Sequence, residues 1–141
     1  MIKGFLIAIS FTILCYLTSG TLTGTWKLIQ YKDLTTGVIE NIPQEYVDRE
    51  VVTFTFEDNN KTGKFNGRTV SNETGGEYIL EPNNKIKVES FGGTKVGEDS
   101  WGGKFWETIR QSTSYEIKKD TLHILYDHDT KCMTFIQSRN K

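Results

Sequence analysis

The sequence predicts a mainly β domain: an antiparallel meander of about eight strands curved into a barrel-like sheet, with one α-helix. Three observations predict it. Runs with apolar residues at every second position recur from Trp26 to Phe135, the period of a half-buried strand. Breaks such as Asp58-Asn59-Asn60, Pro82-Asn83-Asn84 and Asp127-His128-Asp129 separate these runs, with residues that tolerate tight hairpin turns. One segment, 99–112, abandons the alternation and places apolar residues at helical spacing.

Residues 1–20 stand apart from that pattern. Lys3 is followed by an apolar run, Phe5 to Leu17, and then by the small polar residues Thr18-Ser19-Gly20. That is the layout of a secretory signal peptide. Its apolar core, about 13 residues, is shorter than the roughly 20 that a spanning helix requires. Cleavage after Gly20 is expected, with export to a periplasmic or extracellular location and no stable membrane insertion. Lipidation at Cys15 is the lesser alternative, because Leu14 stands where a lipobox has a small residue. Loss of Lys3 moves the net charge from −1 to −2, which gives no basic face for nucleic acid. With Cys15 gone, Cys132 has no partner for an intrachain disulfide, and it reads as a small buried hydrophobe on a strand.

Residues 21–141 read as a single domain. In the first strand Trp26 and Leu28 share one face and Lys27 takes the other. Gly24-Thr25-Trp26, a glycine closely followed by tryptophan, is similar to the opening of several calycin-type barrels. Residues 38–50 are polar and contain Pro43, which cannot donate to a ladder, so they read as a surface connection. Val52, Phe54 and Phe56 alternate with Thr53, Thr55 and Glu57, the cleanest strand signal in the chain. Strands follow around 62–67, 76–80 and 85–91, and later at Tyr115/Ile117, Leu122/Ile124/Tyr126 and Met133/Phe135. Within 99–112, Trp101, Phe105, Thr108 and Ile109 define one helix face, and Asp99 or Ser100 is placed to cap it. Gly102-Gly103 weakens the first turn by about 1 kcal/mol per glycine. A lone amphipathic helix after five strands is expected to plug the open side of the curved sheet.

Together these pieces resemble the META/HslJ family of small bacterial envelope proteins, whose members have Gly-Cys-Asn, three residues, then Gly-x-Tyr. Here Asn72, Gly76 and Tyr78 occupy the last three of those positions. Thr94 is similar to the family's threonine, and Phe105 and Ile109 to its helix pair. The resemblance covers nearly all of residues 21–141 in the right order. The motif cysteine is Ser71, the glycine before it is Val70, and the acid that commonly opens the family's helix falls at Gly102. The resemblance implies an antiparallel barrel-like sheet with one helix and a role in the envelope or its stress response. It brings no catalytic residues and no cofactor. Asn72 and Gly76 read first as residues that shape the polar loop 68–75, through local backbone bonds and positive φ; in the functional reading that loop meets a partner, with Arg68, Asn72, Tyr78 and Thr94 as the binding residues.

No catalytic constellation accompanies these residues. His123 alternates with Leu122 and Ile124 and is expected to face solvent, and Asp127-His128-Asp129 reads as a turn rather than a metal site. No phosphate loop, dinucleotide fingerprint, nucleophile elbow or zinc-protease motif is present. The sequons at Asn60 and Asn72 carry little weight in a chain rich in Asn and Thr. The chain therefore reads as a non-enzymatic domain that binds an unidentified protein or small molecule, or has a structural role. The alternative is a lipocalin-like carrier whose apolar ligand would be lined by Phe54, Phe56, Trp101 and Trp106.

Overall fold

The alternating segments form nine antiparallel strands, seen in a computed structural model that describes residues 21–138. The leader with Cys15 lies outside the described residues. The strands are β1 (Gly24–Asp33), β2 (Ile39–Asn41), β3 (Thr53–Asp58), β4 (Thr62–Arg68), β5 (Glu73–Glu81), β6 (Lys85–Gly93), β7 (Ser112–Lys118), β8 (Thr121–Tyr126) and β9 (Lys131–Gln137). The helix α1 (Ser100–Thr108) runs into a 3-10 turn, Ile109–Gln111.

Each strand pairs with the next around a ring that β1 closes against β9. Only β2 lies outside this ring, as a short exposed flap along the second half of β1. The expected surface connection over 38–50 is therefore partly ordered, into β2 and a 3-10 turn at Gln44–Tyr46. Pro43 sits at its boundary with φ −56°, as proline's ring requires. Positive φ at Asn60, Asn83 and Asn84 confirms the Asn-based hairpin turns.

The ring is weakest between β6 and β7, which share one paired position, Lys85 with Ser114. The 3-10 turn lies against β6 at that seam, and helix α1 packs across the end of the ring. Its Phe105 stacks on Phe54 with ring centroids 4.9 Å apart and meets Phe91 edge-on at 5.6 Å. Arg110 at its end donates to the Phe91 carbonyl at 2.6 Å, satisfying an edge that β7 does not reach. Asp99 caps the helix by accepting from the Gly102 N–H at 2.9 Å, and the first turn is regular.

The interior is an aromatic stack. Phe56, Phe65 and Phe91 lie nearly parallel, with centroid separations of 5.2 and 5.7 Å. Trp26 closes the end opposite the helix: its indole N–H donates to the Leu22 carbonyl at 2.9 Å. The strand meets the helix at Tyr31 instead, whose ring is 4.9 Å from that of Trp101. A β-bulge at Ile29 turns Tyr31 inward, out of step with Trp26 and Leu28. Lys27 does point away from Trp26, yet it is buried. Its ammonium donates to the Tyr46 and Val47 carbonyls and fastens the 3-10 turn to the barrel wall.

Candidate functional site

The motif residues sit where β4 turns into β5. The expected loop 68–75 is shorter than anticipated, because Arg68 ends β4 and Glu73 starts β5. Only Thr69 to Asn72 are left to turn, closed by the Thr69 N–H donating to the Asn72 carbonyl at 2.9 Å. Asn72 is 1% exposed and bonds beyond its own loop, to the chain that links β6 to the helix. Its Oδ1 accepts from the Val96 N–H at 2.7 Å and from Thr94 Oγ1 at 3.1 Å. Its Nδ2 donates to the Val96 carbonyl at 2.9 Å and to Glu98 Oε2 at 2.8 Å. Every donor and acceptor of this amide is engaged.

Glu98 is the partner that sequence inspection missed. Its carboxylate accepts from the Ser71 N–H and the Trp106 indole, each at 2.8 Å, and from the Thr69 hydroxyl as well as Asn72. Burial works against its charged form, but the bonds from Thr69, Asn72, Ser71 and Trp106 outweigh it and hold the pKa below the ordinary glutamate range. The carboxylate lies directly beside Gly102: a Cβ there would come within 2.7 Å of Glu98 Oε1. An acid therefore does stand at the mouth of the helix, delivered from position 98 rather than 102. An acid four residues ahead of the expected position gave no recognisable spacing in the sequence.

Of the four expected binding residues, the structure brings Asn72 and Thr94 together and separates the others. Tyr78 is inward beside Leu80, as its alternation implies, but it belongs to the core near the opposite end of the barrel. Its hydroxyl donates to Asp58 Oδ2 at 2.7 Å, and burial together with that carboxylate pushes its pKa far upward. Arg68 is exposed on the outer face, in register with Thr53 and Glu73, and lines a shallow groove floored by Gly67, Gly75 and Gly92. Asn72 and Thr94 act as a clasp, and the asparagine of the second sequon is buried within it.

The larger concave surface lies on the other side of the helix, where α1 faces β1, β2 and the end of β8. This cleft has a volume of about 730 Å³. Lys104 bridges it, with its ammonium 2.8 Å from Glu40 Oε2 and 4.5 Å above the Tyr31 ring. Tyr126 lines it and is 4% exposed. Burial first, then the charges of Cys132, Glu40, Asp127 and Asp33, raise the Tyr126 pKa to about 12, so it is a neutral phenol at physiological pH. A smaller apolar pocket of about 260 Å³, between Val96 and Trp106, shares Gly103 with the cleft.

The two histidines lie away from this surface or on turns. His123 is half-buried rather than free in solvent, its Nδ1 3.1 Å from Thr134 Oγ1. Cys132, beside it on the barrel's outer face, is buried and its thiol pKa is raised by that burial. Asp127, His128 and Asp129 form the turn before β9, all with positive φ. Among the described residues no three His, Cys, Asp or Glu side chains are grouped to hold a metal ion.

No family model matches the chain, and no curated protein matches it. Among solved structures it is similar to a DUF4847 family protein from Bacteroides vulgatus, with a TM-score of 0.59. That likeness covers 84% of this chain and 95% of the other at 14% identity, and it shows a shared fold of β-sheet and helix.

Proposed function

We propose that the protein is an exported META/HslJ-like domain that binds a partner in the cell envelope at the helix end of its barrel and performs no chemistry of its own. One observation carries this reading: the barrel is a filled scaffold, and a concave surface of about 730 Å³ lies outside it, between α1 and β1–β2. Concave surfaces of a few hundred Å³ with a few placed polar groups are where small molecules and peptide segments bind. A lipocalin-like carrier would need Phe54, Phe56, Trp101 and Trp106 to line one cavity. The first three are at most 1% exposed and engaged with neighbouring rings, and Trp106 borders only the pocket of about 260 Å³, so the cleft is the better candidate for a ligand.

Gly103 provides the test. It borders the cleft, and a Cβ there would meet nothing within 4 Å, so a large side chain is accommodated. Gly103→Trp is expected to fold normally, obstruct the cleft and fail to restore envelope-stress tolerance to a strain lacking the protein. Full rescue by Gly103→Trp, at the wild-type level of exported protein, would overturn the assignment of the cleft.

A further inference from the structure

The charges of the cleft are mostly matched within the protein, and the exceptions define a ligand. Lys104 is held by Glu40, and Lys131 lies 3.5 Å from Asp127. Asp33 accepts from the Thr35 and Thr36 N–H groups at 2.9 and 3.1 Å. Among the described residues, Lys32 and Glu107 have no ion-pair partner, and both border the cleft. They stand on opposite walls, Lys32 on β1 and Glu107 on α1.

Tyr126 adds an independent observation. Its side chain is almost wholly buried, yet its hydroxyl has no hydrogen-bond partner among the described residues. The hydroxyl therefore meets solvent at the cleft, where a ligand can take the place of water. Lys32 and Glu107, with neither an ion pair nor a side-chain hydrogen bond among the described residues, and the Tyr126 phenol thus border a single cleft whose other charges are bonded within the protein.

Resting on the binding reading above, we infer that the cleft takes a small zwitterion, a short linear peptide with both termini free. Its ammonium is placed at Glu107 and its carboxylate at Lys32. The Tyr126 hydroxyl bonds the peptide's backbone between them. A singly charged ligand would leave one wall unmatched, and a neutral apolar one would leave all three groups unsatisfied. The cleft's volume exceeds what one amino acid fills and lies within the range of ordinary ligand sites, roughly 300–1,000 Å³.

The test is a titration of the protein, purified after export, with trialanine and with N-acetyl-trialanine amide, followed by backbone amide shifts. Trialanine is expected to shift amides of α1 and of the β1–β2 hairpin, and removing both terminal charges to weaken binding about tenfold or more. Glu107→Gln should abolish discrimination between free and acetylated amino ends, and Lys32→Gln that between free and amidated carboxyl ends. Tyr126→Phe should weaken trialanine binding while leaving the thermal midpoint unchanged, since the hydroxyl it removes supports nothing in the protein. The inference is overturned if trialanine moves no amide of the cleft, or if the doubly blocked peptide binds there equally well. Either result would leave the Gly103→Trp complementation test standing, so the peptide assignment and the binding reading can fail separately.

Discussion

Gly76 shows how a single residue is fixed by its surroundings. It lies within β5 rather than at its start, paired with Phe65 on one side and Phe91 on the other. A Cβ there would press on the Ser90 carbonyl and come within 2.6 Å of Phe65 Cζ, in the middle of the aromatic stack. Gly76→Val is therefore expected to cost about 1–3 kcal/mol or more in denaturant unfolding. Arg68→Ala, on the exposed face, should stay within about 0.5 kcal/mol of wild type. Trp26 is fixed more firmly still. It is 3% exposed and hydrogen-bonded to Leu22, and it packs over Gly24, whose φ of 147° favours glycine. Trp26→Ala should cost about 3–5 kcal/mol, measured the same way. A loss below about 1 kcal/mol would contradict its burial.

Within the helix, adjacent glycines have opposite expected effects. By propensity alone, Ala in place of either would stabilise α1 by about 0.5–1 kcal/mol. Gly103 faces open space, so Gly103→Ala should realise that gain. At Gly102 the new Cβ would push against the Glu98 carboxylate and lie 3.2 Å from Val70 Cγ2, so Gly102→Ala should lower the thermal midpoint instead. Glu98 also makes this element sensitive to acid. Its pKa is lower in the folded state, against the bonds' opponent, burial, so the unfolded chain binds the proton first. Its contribution is full above the ordinary glutamate pKa and is lost as pH falls through the folded value. Wild type should therefore exceed Glu98→Gln in stability near pH 6, and the difference should shrink progressively as pH falls below the ordinary glutamate value. A difference that stays constant across that range would show that the carboxylate's charge is not what holds the 94–98 segment.

For the molecule as a whole, the ring of strands and its helix form one scaffold around a continuous core that runs from Leu22 to Phe135. The proposed export makes a prediction at this scale. Intact-mass measurement of the protein recovered from outside the cytoplasm should show a chain starting near Thr21 and carrying no acyl group. A diacylglyceryl mass on Cys15 would instead make it a lipid-anchored protein.

The sequence by itself determined whatever depends on neighbours along the chain. Period-two alternation at Val52, Phe54 and Phe56 gave a strand with Phe54 and Phe56 buried, and the Asn-rich breaks gave hairpins because Asn tolerates positive φ. Asp99 was legible as a helix cap because its bond reaches only three residues ahead. Tertiary structure decided the rest. The bulge at Ile29 reverses the facing of the second half of β1, and no local pattern announces an extra residue that is accommodated by pairing with β9. Asn72 and Glu98 meet at a separation of 26 positions along the chain, so their clasp has no sequence spacing to recognise. The cleft draws Lys32, Glu107 and Tyr126 from β1, α1 and β8. Each is unremarkable in its own segment; only the closure of β1 against β9, with the helix laid across the end of the ring, gives them a common surface.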